Sequence, residues 1–164
     1  MQYIKYNANP KEKITTDCVV RAISTAMHES WMQTYEKLCE LGKKKCKMPN
    51  DSYVFAQYLR NNGFEQMTQK KHSSGSKYTI KELVDSYIEE NVILVIKCRG
   101  HLTCAIYDTL IDTWNCGWQK AGQYWLLRPE NFNKIDTDET ETFLYLNYIE
   151  GLAEEQKPRR RRLL

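Results

Sequence analysis

The chain has 164 residues, 41% of them apolar and 27% charged, with 11 Tyr, 4 Trp and 4 Phe. That supply of apolar surface excludes a chain disordered throughout and suits one domain of ordinary size. The net charge of +3 is uneven: Lys157 and the following arginines carry the excess, and residues 1–150 are neutral, which argues against a nucleic-acid groove in the body.

In chain order, residues 2–6 alternate weakly and predict a short edge strand, followed by a loop over 7–16 that Asn9 and Pro10 punctuate. Asp17 is placed to cap a helix from Cys18 to about Met27. Ser30 and Gln33 form a capping-box pattern that opens a second helix, with Trp31, Tyr35, Leu38 and Leu41 as its apolar positions. Residues 42–50, with four Lys, read as exposed loop. Asp51 is expected to cap a third helix that Gly63 ends, and Thr79 with Glu82 opens a fourth, running to about Glu90. The pattern then changes to short runs of β-branched and aromatic residues at 92–98, 101–107, 110–114 and 123–128. Residues 143–149, FLYLNYI, read as a last strand or a short helix, with the strand favoured. Helices first and antiparallel strands second predict an α+β fold, with a domain over 1–150 and a basic, disordered tail over 151–164.

The longest aliphatic run, 92–96, is far short of the roughly 20 residues that span a bilayer. The first residues lack the apolar stretch of a secretory signal, so a cytoplasmic protein without membrane contact is expected. The six cysteines, at 18, 39, 46, 98, 104 and 116, include no pair with Cys-x-x-Cys spacing, and there are three His. Free thiols are therefore expected, with neither a metal nor a cofactor.

Cys18 differs from the other five in its setting. It follows a polar loop and occupies the first turn of a predicted helix, where unsatisfied N–H groups and the helix dipole favour a thiolate. His101 opens a predicted strand after Gly100. Period-2 alternation places His101, Thr103 and Ala105 on one face and Leu102, Cys104 and Ile106 on the other. A His at a strand end can take the proton of a thiol on a neighbouring helix and return it to a leaving group. Asp112, an acid within the apolar LIDTW run, needs a partner, and His101 is the nearest candidate. His28 and His72 lie in predicted connections and read as structural.

This set resembles the papain-like cysteine peptidases, in particular their short bacterial and phage forms. The matching residues are Asp17-Cys18-Val19-Val20-Arg21-Ala22, Gly100-His101-Leu102, and Asp112-Thr113-Trp114, which is similar to the family's Asn-Ser-Trp. The resemblance spans residues 9 to about 126. It implies a papain-like fold and a Cys18–His101–Asp112 triad acting on a protein or peptide substrate through a thioester. It also implies that Trp114 shields the bond between His101 and the third residue. Two departures stand out: the Cys-Gly-Ser-Cys-Trp signature is absent, and Glu12 occupies the position six before the nucleophile where the family often has Gln. The backbone N–H of Cys18 supplies one oxyanion donor, and Asn9, Lys13, Thr15 and Thr16 are open as the second.

A tight turn at Asp108–Thr109 would pair Ala105 with Asp112, leaving Asp112 about 13 Å from His101 along the sheet. Either a bulge or wider turn shortens this, or Asn115 orients the His. Two other functions stay open on the same residues: an amidase or transglutaminase-like acyltransferase, and a catalytically inert binding module. In either case Arg159, Arg160, Arg161 and Arg162 could contact nucleic acid nonspecifically.

Overall fold

A computed structural model of the chain describes residues 1–13 and 15–156. The expected α+β architecture is present as a six-stranded sheet with helices on both faces. The helices of the first half are α1 (Cys18–Ala26), α2 (Trp31–Lys45), α3 (Ser52–Asn61) and α4 (Ile80–Asp85). The strands are β1 (Gln2–Lys5), β2 (Glu65–Met67), β3 (Ile93–Cys98), β4 (His101–Ile106), β5 (Thr109–Asp112) and β6 (Tyr124–Leu127). Their order across the sheet is β1-β5-β4-β3-β6-β2. All neighbours are antiparallel except β1, which runs parallel to β5 at one edge.

Local sequence explains most of these boundaries. Ser30 and Thr79 each make a reciprocal capping box, with Gln33 and Glu82, and the Asp51 carboxylate accepts the Tyr53 N–H at the start of α3. After α3, Gly63 turns the chain at φ +86°, a conformation that suits glycine. β3 is buried on both faces. Ile93 and Val95 join a core beneath α1, α2 and α3 that includes Ile23, Leu38, Leu59 and Trp125. Leu94 and Ile96 join a second core with Ile80, Leu83, Val84 and Tyr124 beneath α4. Sandwiching the sheet is why this strand reads as an unbroken apolar run rather than an alternating one.

Four expectations need correction. Residues 143–149 are not the favoured strand but part of a long fifth helix, α5 (Glu139–Glu155), in line with the helical alternative. Asp138 and Glu141 form its capping box, and Thr142, Ile149 and Ala153 are buried along one stripe, so helical spacing overrides the β-propensity of the aromatic and branched residues. The tail boundary moves with it: α5 passes through residue 150, and the Gln156 side chain makes two hydrogen bonds with the Asn7 backbone, at 3.1 Å each. Residues 157–164, which carry the Arg run, lie outside the described residues. In the first half, α2 extends to Lys45, four residues into the expected loop. The fourth helix is shorter than expected, α4 ending at Asp85 before a separate 3-10 turn at Ile88–Glu90. No helix among the described residues is long and apolar enough to cross a membrane.

Candidate active site

α1 lies across β4, and this crossing brings the start of the helix against the start of the strand. The half-buried thiol of Cys18, first residue of α1, lies beside the His101 ring and the backbone of Leu102, both of which favour its thiolate. On its other side His101 meets Asp112, with Nε2 2.6 Å from Oδ2. Since Asp112 holds Nε2, Nδ1 is the ring nitrogen left for the thiol. The side chains of His101 and Asp112 are 13% and 5% exposed, so the pair is largely out of water.

The register of the β4–β5 hairpin removes the expected 13 Å gap. The turn falls at Tyr107–Asp108, Tyr107 taking φ +56°, and Ile106 pairs with Thr109, Ala105 with Leu110 and Cys104 with Ile111. One further step places Asp112 opposite Thr103, on the face of His101 and one pleat away rather than two, or about 6.6 Å along the sheet. No bulge is required. Asn115, the alternative orienting group, instead accepts the Gly117 N–H at 3.0 Å and shapes the turn after β5.

The charge states follow from this geometry. Burial alone would raise the Cys18 pKa, but hydrogen bonds from His101 and Leu102, with the charges of His101 and Arg21, bring it below the ordinary thiol value. Burial would lower that of His101, yet its hydrogen bonds to Asp112, Cys116 and Cys18 outweigh this and raise it. Asp112 is likewise held below the usual carboxylate range: burial pushes it up, and the bond to His101, its charge and the Thr113 N–H pull it down. The favoured state is a thiolate–imidazolium pair backed by a carboxylate. Cys104 is the contrast, fully buried with its pKa raised by desolvation.

Asp17 does not cap α1 with its side chain. Its carboxylate instead pairs with Arg21 and accepts from Trp31 Nε1 and Asn9 Nδ2, each at 2.9 Å. The first turn of α1 therefore keeps its N–H groups, including that of Cys18, free of a side-chain cap. Of the four residues weighed as the second donor, Thr15 and Thr16 line the cleft beside Cys18. Asn9 is turned to Asp17, while Lys13 gives its carbonyl to Asn7. Glu12 is exposed and is not among the residues lining the cleft.

The cleft itself holds about 520 Å³ and is walled by α1 on one side and by His101, Leu102, Thr113 and Trp114 on the other. The Trp114 ring stands 5.5 Å from that of His101. The other two histidines are elsewhere: His28 is stacked on Tyr145, and His72 lies 3.5 Å from Glu82.

Two contributors escaped the sequence reading. Cys116 is fully buried with Sγ 3.8 Å from Asp112 Oδ2, and Arg21 is buried beside Cys18. Arg21 was legible in principle, three residues along the helix from Cys18 and so on its face. Cys116 had no such signal, because its position depends on the turn after β5. His101, Asp112 and Cys116 bring donor atoms within 4.8 Å of one another, a set that could take a zinc-type ion by breaking the His101–Asp112 bond. No family model, curated protein or solved structure matches the chain. The chemistry of the site has to be read from its own geometry.

Proposed function

We propose that the protein is a cysteine-dependent hydrolase of the papain-like type, acting on peptide or isopeptide bonds through a thioester. The observation that carries this is the continuous chain Cys18–His101–Asp112, set at the mouth of an open cleft and supported by charge at each link. The Cys18 thiolate attacks the carbonyl carbon, and the developing oxyanion takes the Cys18 N–H at the positive end of α1. His101 then gives its proton to the leaving amine as the C–N bond breaks. Water, deprotonated by the now neutral His101, attacks the thioester and releases the acid and the thiol. Asp112 keeps the ring oriented throughout and stabilises the imidazolium.

An activated ester tests this without knowledge of the natural substrate. With p-nitrophenyl acetate, the wild-type protein is expected to release a burst of nitrophenolate equal to its own concentration and to carry the acetyl group on Cys18. Cys18→Ala should give no burst. A wild-type protein with neither burst nor acetylated Cys18 would be the inert binding module.

A further inference from the structure

Lys97, at the rim of the cleft, also lines a second depression of about 830 Å³ bounded by Lys77, Arg99, Lys120 and Trp118. All four cations are exposed, and no Asp or Glu lines this depression. None of the four belongs to an ion pair among the described residues. Their backbones are held in place: Lys97 and Arg99 flank the end of β3, Lys77 is bridged to Lys71, and Lys120 to Thr79. A concave cluster of one sign focuses its field on what lies in it.

The shelf is joined to the chemistry by two aromatic rings. Trp118, 70% exposed, packs edge-on against Trp114 at 6.3 Å, and Trp114 stands over His101. It also lies on the sheet wall, the side of His101, rather than on the helix wall that carries Cys18. The leaving amine must reach His101 for its proton, so the leaving half of a substrate extends over this wall. Resting on the hydrolase reading above, we propose that the substrate is a polypeptide whose segment following the cleaved bond is acidic, its carboxylates held on this four-cation shelf. The neutral balance of residues 1–150 makes the patch local, which fits a short acidic segment better than a nucleic-acid backbone.

The test uses full-length Cys18→Ala protein and fluorescein-labelled hexaglutamate, with its glutamine counterpart as control, read by polarisation. At low salt the glutamate peptide should bind about ten-fold more tightly, an advantage largely lost at about 0.5 M salt. Lys77→Glu with Arg99→Glu should abolish the preference, whereas the same charge change at Lys43 and Lys44 should leave it. No preference, or equal loss in both double variants, overturns the proposal. So does single-stranded oligothymidylate binding more tightly than hexaglutamate with the same dependence on Lys77 and Arg99, which would make the shelf a nucleic-acid surface. Alkylation of Cys18 in the wild-type protein reports separately on the hydrolase reading. Fast alkylation without acidic preference removes the shelf proposal alone, and absent alkylation removes the hydrolase and the leaving-segment assignment with it.

Discussion

Beyond its core packing, the helix wall of the cleft is tied at its start by one buried carboxylate, whereas the sheet wall is held by a ladder of backbone hydrogen bonds. Asp17 ties Arg21, Trp31 and the Asn9 loop to the start of α1. His101 and Asp112 sit instead on paired strands whose register is fixed by main-chain bonds and a two-residue turn. Side-chain changes on the sheet wall should therefore remove chemistry and keep shape. On the helix wall, the loss of a single side chain should loosen the shape that positions the nucleophile.

The largest expected effect is on the sheet wall. His101→Ala should lower the rate of Cys18 acetylation by at least about 10²-fold, the low end for a general base, with the folded spectrum and melting curve little changed. If the variant unfolds instead, the sheet wall depends on the His101 side chain and the contrast fails.

Asp17→Ala comes next, as a stability effect. Removing one partner of a buried pair leaves Arg21 without its carboxylate, at a cost of about 3 kcal/mol in chemical denaturation. Asp112→Asn, which keeps its shape, should cost clearly less. Equal losses at the two positions would erase the distinction between the walls.

Asp112→Asn should act on pH dependence instead. Rate rises with pH as Cys18 ionises, at a lowered pKa, and falls when His101 loses its proton, at a raised one. The two limbs belong to the coupled pair. Without the carboxylate charge His101 loses a proton more readily, so the alkaline limb should move to lower pH. An unmoved limb would mean that Asp112 does not hold the imidazolium. The smallest effect expected is from a chelator, which should leave Cys18 reactivity unchanged, because the 2.6 Å His101–Asp112 bond orients the ring by itself.

Legibility in the sequence followed the range of the interactions. Cys18 at a helix start, His101 at a strand start and the capping boxes at Ser30 and Thr79 are local features and were readable. The His101–Asp112 distance was not, because moving the turn by one residue shifts cross-strand pairing by two. α5 was misread from the β-propensity of FLYLNYI, although Asp138 and Glu141 carried the same capping signal that identified α2 and α4. The short β2 had too few residues to show a period. Asp17 was placed correctly but given the wrong role. Nothing local says that its carboxylate is claimed by Trp31, 14 residues on. The proposed papain-like reading rests on motif order and on the way Cys18, His101 and Asp112 come together.

The most direct test of the thiolate–imidazolium pair is iodoacetamide labelling at pH 6 with peptide mapping across all six cysteines. An ordinary thiol, with a pKa near 8.5, is almost wholly protonated there. Cys18 should label far faster than exposed Cys46, buried Cys104 should label slowest, and His101→Ala should bring Cys18 down to the rate of Cys46. Cys18 labelling no faster than Cys46 in the wild-type protein would contradict the pair and, with it, the proposed nucleophile.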